Sequence, residues 1–150
     1  MTISLSRASK HTDNRESTDT AGKLTAFIAT HNTRPWQPGN VDCCLFLADW
    51  ALWLGHQDPA AHLRGTYDTE DGFRDIITSA CGVVPVVDRC VANIGGQRVD
   101  NPTCGAVGVI GSPNNIYRQW GAIFDGRRWL VRFRDNIGPM SAKPLAIWKI

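Results

Sequence analysis

The sequence lacks the features that would send a chain into or across a membrane. Its first twenty residues, MTISLSRASKHTDNRESTDT, contain no apolar segment of the kind found in secretory signals. No run of about 18 apolar residues, the length needed for a transmembrane helix, occurs in the chain. We therefore expect a protein with neither a secretory signal peptide nor a membrane span.

Cysteine is present, but in no pattern that predicts cross-linking or metal binding. The five cysteines are odd in number and irregularly spaced, which argues against a disulfide framework. No C-x-x-C pair and no Cys/His cluster has the spacing of a zinc site. We expect a reduced, intracellular protein with no metal and no cofactor.

A strong net charge is also missing. The formal charge of +2 does not by itself predict a nucleic-acid partner. The charge is uneven, however: residues 1–100 carry 9 basic and 12 acidic side chains, and residues 101–150 carry 7 basic and 2 acidic ones. The C-terminal third is therefore predicted to present a basic face. Most such faces are only solvated surface, so an anionic partner is a secondary hypothesis, with Arg128, Arg132 and Arg134 as its candidate contacts.

The composition, 43% hydrophobic and 20% charged, is that of a globular protein, and 150 residues are enough for one domain with its own core. Residues 1–20 are polar and rich in Ser and Thr, which predicts a flexible N-terminal arm that orders against a neighbouring subunit. Residues 21–150 predict a single domain.

Helical patterns occupy the first part of this domain. TAGKLTAFIATHN places Leu24, Phe27 and Ile28 on one helical face. CCLFLADWALWLG, apolar nearly all round, predicts a buried central helix that opens at Cys43 and stops at Gly55. TEDGFRDIITSACG and PVVDRCVANIG predict two further helices.

Strand-like runs follow from residue 105: GAVGVIG, QWGAIFDG, RRWLVRFRD and LAIWKI. The Asp125–Gly126 pair predicts a hairpin turn. In RRWLVRFRD, alternation places Trp129, Val131 and Phe133 on one face and arginines on the other. Helices followed by antiparallel strands predict an α+β domain, with the helices packed on a C-terminal sheet.

Cys43 is the candidate for chemistry. A thiol in the first turn of a helix meets unpaired backbone N–H groups, which favour the thiolate. A cysteine nucleophile also needs a base, usually a histidine, and a group that orients the base.

The segment PWQPGNVDCCLFLADW resembles the nucleophile segment of the NlpC-type cell-wall cysteine peptidases, a small papain-like family. In that family a Trp-Gly loop leads into Asp-Cys, and the cysteine opens the central helix. Trp36, Gly39, Asp42 and Cys43 match, and the order of helices before strands matches over roughly residues 24–135. The resemblance implies a papain-like α+β fold with Cys43 at the nucleophile position.

The longer pattern DCCLFLADW…DPAAHLRGTY resembles a group of small proteins encoded in tailed-phage structural operons, near the tail-tip genes. Of the two resemblances this one is the closer. It implies a virion protein, assembled in the host cytoplasm, whose partners are other tail proteins in a multi-subunit assembly.

The catalytic base of the peptidases is missing. Their histidine lies two residues before the glycine of the second strand, and this chain has Gln119 there, in RQWGAIF. Glutamine has no titratable nitrogen and cannot act as a general base. No histidine follows His62, so the order Cys, His, polar residue cannot be formed. Because triads are defined by geometry, His62 is the remaining candidate base, although a loop histidine is the simpler interpretation.

Several of these residues also have plain structural interpretations. Cys43 is favoured as a small buried residue over an active nucleophile, and the other four cysteines are interpreted as packing residues. Asp42 is predicted to cap the central helix. Asp49, inside an apolar helix, needs a partner, and Arg64 is the predicted one. Trp36, beside two prolines, is the best candidate among the six tryptophans for a contact residue.

The sequence therefore predicts a structural component of a bacteriophage or phage-like tail, near the tail tip or baseplate hub, built on a degenerate cysteine-peptidase-like domain. One alternative is an active hydrolase of peptidoglycan peptide bonds that uses Cys43. A second is a DNA-contacting head–tail adaptor, which is less favoured because no helix-turn-helix or other reading element is present.

Overall fold

The elements follow the predicted order, helices first and strands after. The structure, a computed structural model, describes residues 18–150. Within this range it is an α+β fold with four helices and a six-stranded antiparallel sheet. The helices are α1 (18–31), α2 (Leu45–Trp53), α3 (Glu70–Ala80) and α4 (Val83–Ala92). The strands are β1 (Gln97–Arg98), β2 (Val107–Gly111), β3 (Gln119–Phe124), β4 (Trp129–Arg132), β5 (Ile137–Pro139) and β6 (Pro144–Lys149).

The first helix forms where the apolar spacing predicts it. Leu24 and Phe27 are buried and Ile28 is half-buried, so the predicted face is the one that packs. Residues 18–20, the last three of the predicted arm, already belong to α1. The rest of that arm lies outside the described residues.

The central helix α2 is buried as predicted, but its predicted start is wrong. The helix begins at Leu45 and not at Cys43, because Leu47 N–H bonds to the Cys44 carbonyl three residues back at 3.1 Å and leaves the first turn irregular. Six of its nine residues are buried, and Leu52 and Trp53 in its last turn are 42% and 40% exposed. The Trp53 ring is partly covered there by Phe27, which it meets edge-on with the ring centroids 5.8 Å apart.

The other two predicted helices are present. Thr69 caps α3 by accepting a hydrogen bond from Gly72 N–H at 3.0 Å. The left-handed residue that ends this helix is Cys81, with φ 64°, and it is exposed. In α4, valines bury one face against the sheet.

The sheet has the order β1-β6-β2-β3-β4-β5. The four predicted strand segments and the Asp125 hairpin are present, with the Asp125 carboxylate accepting the N–H groups of Arg127 and Arg128. Two strands were missed, β1 and β5. Neither has a strand pattern, since β1 is two exposed polar residues and β5 contains both Gly138 and Pro139.

Both faces of the sheet are buried. One face packs against the helices through side chains that include Val107, Val109, Ile123 and Leu130. The opposite face is filled by large side chains of the strands themselves, among them Ile110, Trp129, Val131 and Ile147. The Trp129 ring covers Gly108, where a Cβ would lie 2.7 Å from it. Trp129 and Val131 therefore share a face, as the alternation predicted.

Candidate functional site

The start of α2 is held directly against β3. A Cβ on Gly121 would lie 2.6 Å from the Cys43 carbonyl oxygen and 2.9 Å from the Leu47 side chain, so only glycine permits this approach. Residue 119 lies two positions before Gly121 and therefore faces the same side of the sheet. The fold thus brings Cys43 and Gln119, the two positions that the peptidase resemblance pairs, to one place.

Cys43 and Gln119 line a common cleft of about 320 Å³, which we call the Cys43 cleft. One wall comes from α3, and the other comes from the loop before β3 and the end of β4. The lining residues are Trp36, Cys43, Glu70, Phe73, Arg74, Ile77, Tyr117, Gln119, Trp120, Arg132, Phe133 and Arg134. The cleft combines aromatic rings with arginines.

Asp42 organises the backbone beside this cleft. Asp42 is 1% exposed, and its carboxylate accepts the N–H groups of Cys44 and Leu45 at 3.1 and 2.9 Å, which caps the turn that leads into α2. It also accepts the N–H of Gly39 at 3.1 Å and the Tyr67 hydroxyl at 2.5 Å. Burial, together with the neighbouring Asp42 carboxylate, raises the pKa of Tyr67, which therefore stays a neutral donor.

Gly39, part of the peptidase-like segment, has a structural reason to be glycine. Its φ is +82°, and a Cβ there would collide with the Tyr67 carbonyl oxygen at 1.8 Å. Gly39 and Asp42 both match the nucleophile segment of the peptidases. Their presence here is explained by a packed, hydrogen-bonded loop. These contacts require no catalytic role.

The two adjacent thiols are buried at this loop, Cys43 being 5% and Cys44 9% exposed. A hydrogen bond with Cys43, burial and the nearby Asp42 carboxylate raise the pKa of Cys44 well above its usual value. Cys44 is consequently held as a neutral thiol at physiological pH. Burial likewise raises the pKa of Cys90, to about 11.

Gln119 uses both ends of its amide to hold the fold. Its Oε1 accepts the Val83 N–H at 3.1 Å, and its Nε2 donates to the Ser112 carbonyl at 2.9 Å. Val83 begins α4, so Oε1 satisfies one of the N–H groups that every helix leaves unpaired at its start. Gln119 thus ties α4 to the loop after β2 and stays buried at the cleft wall.

The described histidines do not line the Cys43 cleft. His31 stacks on Phe27 with ring centroids 4.3 Å apart. His62 is exposed and lines a different cleft, of about 440 Å³, together with Asp75 and Ser79. The structure therefore does not bring His62 to the thiol, and His11 lies outside the described residues.

Arg132 was predicted to lie on an exposed basic face, and that prediction is wrong. It is 3% exposed, and its guanidinium donates to the backbone carbonyls of His31 at 2.7 Å, of Phe133 at 2.9 Å, and of Arg34. The His31 carbonyl lies at the end of α1 and also accepts the Arg34 N–H at 3.2 Å, so Arg132 is a second donor at a helix end, where a cation is favoured. Burial, followed by the nearby Arg34, lowers the pKa of Arg132.

The other two candidate arginines are exposed but already paired. Arg128 lies 3.7 Å from Asp125 in the hairpin, and Arg134 pairs with Glu70 of α3. Arg128, Arg132 and Arg134 therefore do not form one open basic face.

The predicted pair between Asp49 and Arg64 is present at 3.1 Å, as part of a larger network. Arg34 also approaches Asp49, at 3.4 Å, and Arg64 bonds Asp58 at 2.8 Å. Burial raises the pKa of Asp49 in spite of its two arginines. At Asp58 burial acts in the same direction, but the hydrogen bonds from Arg64 and from Ala60 N–H and the charge of Arg64 together outweigh it, so the pKa is lowered.

Trp36, the predicted contact residue, lies on the wall of the Cys43 cleft. It is half-buried on the cleft wall, and its indole Nε1 is buried without a hydrogen-bond partner among the described residues. Sequence reasoning missed two residues of α3 that line the same cleft, Glu70 and Arg74, because an exposed helix face rich in charge is ordinarily just solvated. Within residues 18–150, no group of three potential ligands is placed to hold a metal ion.

A helix-first α+β protein, with a buried cysteine loop set against an antiparallel sheet, is the class that these observations define. Residues 15–149 match the sequence model of the family described as "Domain of unknown function (DUF6950)", and the chain belongs to that family. No curated protein and no solved structure matches the chain. Within the described range, no helix has the length and apolar character needed to cross a bilayer.

Proposed function

We propose that the protein is a non-catalytic structural component of a bacteriophage or phage-like tail, near the tail tip or baseplate hub, built on a degenerate papain-like, NlpC-type domain. The main support for a non-catalytic role is Gln119, through its chemistry and its hydrogen bonds. The side chain at the position of the base cannot take a proton, and both ends of its amide are bonded to backbone groups. Cys43 therefore lines a cleft to which none of the described histidines contributes.

The phage-like pattern DCCLFLADW…DPAAHLRGTY supports the structural part. Its acids and its arginine bond to one another or to its tyrosine: Asp42 to Tyr67, and Arg64 to both Asp49 and Asp58. These residues hold the loop before α3 against α2. A pattern whose polar residues are used in this way describes a scaffold more readily than a catalytic site.

A peptidoglycan hydrolase is the second candidate, favoured by one observation: Cys43 lines an open cleft large enough for a ligand. The hypothesis of a DNA-contacting adaptor depended on a basic face. Arg132 is buried, and Arg128 and Arg134 are paired with acids, so these arginines do not support it.

Thiol alkylation separates the first two candidates. We would treat the folded protein with iodoacetamide across a pH series and quantify each cysteine by peptide mass spectrometry. An unperturbed thiol ionises near about pH 8.5, and Cys81 is the exposed cysteine, so we expect Cys81 to react first at every pH. Rapid alkylation of Cys43 below about pH 7 would indicate an activated nucleophile and contradict the proposal.

Two further assays address the activity and the partners. Purified muropeptides should remain intact when incubated with the protein, and cleavage that disappears in Cys43→Ala would establish the hydrolase. Co-expression with the proteins encoded by adjacent genes should yield a complex that co-elutes in gel filtration. Failure of every such pair to associate would count against a role in a tail.

A further inference from the structure

The Cys43 cleft carries an excess of positive charge that the described residues do not neutralise. Three arginines and one glutamate line it, and Glu70 is paired with Arg134. Arg132 donates to backbone carbonyls. Arg74 makes no ion pair with any described residue, and its guanidinium lies 4.1 Å from the centre of the Tyr117 ring.

The stacking on Tyr117 fixes Arg74 at the cleft rim. The Tyr117 hydroxyl is itself 2.6 Å from Thr78 Oγ1 on α3, so the ring is anchored to the same helix as the arginine. A guanidinium stacked on an aromatic ring keeps its N–H groups free at the edge, where they can bind a carboxylate in a bidentate manner. The cleft thus presents a positioned anion-binding group.

The lining of the cleft is also aromatic. Trp36, Phe73 and Phe133 contribute to its lining. The Trp36 ring is half-buried on the cleft wall, and its Nε1 is a buried donor with no partner in the described part of the chain. A ligand that fits must therefore carry both an acid and apolar surface.

We infer that the Cys43 cleft is the docking site for a short acidic segment of a partner protein, with a carboxylate bound by Arg74 and an apolar side chain packed beside Trp36. This inference rests on the proposed structural role, because it names the chemistry of the partner that the cleft would receive. The thiol of Cys43 is then part of the wall of a recognition site.

A nucleic acid fits the same cleft less well. The volume of about 320 Å³ is at the small end of ligand pockets. Nucleic acid binding depends on several phosphate contacts along a basic track, whereas among the arginines of this cleft only Arg74 has its charge unpaired and free of carbonyl bonds.

The test uses fluorescence anisotropy of the full chain with labelled hexapeptides. One pool is rich in aspartate, glutamate and phenylalanine, and a matched pool has asparagine and glutamine in place of the acids. We expect the acidic pool to bind and the amide pool to bind at least about tenfold more weakly, since a charge-assisted bond is roughly twice as strong as a neutral one. Arg74→Gln should weaken binding of the acidic pool by a similar factor, and Trp36→Phe should also weaken it.

Arg98→Gln is the matched control. Arg98 is another arginine over an aromatic ring, 5.2 Å from that of Trp148, but it lies on β1 outside the cleft. The control variant should bind the acidic pool as the wild type does. The inference is overturned if the acidic pool does not bind, if both pools bind equally, if Arg98→Gln loses as much as Arg74→Gln, or if oligo-dT binds more tightly than the peptides.

These outcomes are distinguishable from failure of the proposed function. Cleavage of muropeptides would refute the non-catalytic role while leaving peptide binding at Arg74 intact. Absence of peptide binding, with intact muropeptides and a stable complex with tail proteins, would instead show that docking uses another surface.

Discussion

At the scale of single residues, the buried carboxylate of Asp42 determines the shape of the loop before α2. Four donors surround it, three from the backbone and one from Tyr67. A buried charge is tolerated only when it is hydrogen-bonded in this way. The Asp-Cys dipeptide therefore has a structural explanation that is independent of any reaction at Cys43.

Tyr67→Phe tests this explanation. The substitution removes one donor from the buried carboxylate and keeps the ring, so we expect the free energy of unfolding to fall by about 1.5–3 kcal/mol, the range for hydrogen bonds to charged groups. Urea unfolding followed by tryptophan fluorescence measures the change. Tyr117→Phe is the control, because that tyrosine is exposed and bonds a neutral hydroxyl, and it should change stability by less than about 0.5 kcal/mol. Equal losses in the two variants would contradict the assigned role of Asp42.

Some of these residue-level features could be predicted and others could not. Asp42 and Asp49 stand out in the sequence, because an acid before or inside an apolar run must be a cap or have a partner. Arg132 gave no such signal, since an arginine in an alternating strand ordinarily faces water. Its burial depends on carbonyls of His31 and Arg34, about a hundred residues earlier in the chain.

At the scale of elements, the contact between α2 and β3 places the cysteine loop beside the sheet. Gly121 permits it, since the Cys43 carbonyl and the Leu47 side chain occupy the space of a Cβ. The helix start and the strand consequently keep a fixed relation. The geometry of the Cys43 cleft depends on that relation.

Gly121→Ala should separate these two elements. We expect a loss of about 1–3 kcal/mol in unfolding free energy, the usual effect of overpacking, because the backbone at Cys43 and not a flexible side-chain end must move. Thermal unfolding by circular dichroism measures it. Gly22→Ala provides a control of opposite sign: a Cβ there meets nothing within 4 Å, and Gly22 lies in α1. Alanine in a helix is favoured over glycine by about 0.5–1 kcal/mol. If Gly121→Ala were also neutral or stabilising, the close approach would be incorrect.

Element prediction succeeded where a pattern extends over many residues. The amphipathic α1 and α3 and the longer strands β2, β3 and β6 carry their periodicity in the sequence. The start of α2 was misplaced by two residues because Asp42 caps a turn that is not yet α-helical. The edge strands β1 and β5 exist only because a neighbouring strand pairs with them.

At the scale of the whole molecule, a network of charged residues joins three parts of the chain. Arg34 follows α1, Asp49 lies within α2, and Asp58 and Arg64 belong to the loop before α3. The sequence predicted one of these pairs. The remaining members lie in loops, whose path is set by tertiary packing and not by local pattern.

The opposite pKa shifts of Asp49 and Asp58 predict opposite effects of pH on the stability of the whole fold. The pKa of Asp58 is lowered in the folded state, so its contribution is present above the unfolded value of about 3.9 and is lost as the pH falls through the folded value. Asp58→Asn should therefore be less stable than the wild type at neutral pH, by up to about 1 kcal/mol for a partly exposed pair, and the difference should vanish in acid.

The pKa of Asp49 is raised, so the folded state favours its neutral form, and the contribution present below about pH 3.9 declines as the pH rises through the folded value. Relative to the wild type, Asp49→Asn should become more stable as the pH rises over that window. Both variants keep the side-chain shape, and the amide oxygen of Asp58→Asn would still accept the Ala60 N–H that Asp58 Oδ1 accepts, so the comparison isolates the charges. Urea unfolding at a series of pH values from about 3 to 7 measures both differences. If the stability differences of the two variants from the wild type changed with pH in the same direction, both aspartates would share one electrostatic environment. Burial at Asp49 and ion pairing at Asp58 would then not have the opposite effects described above.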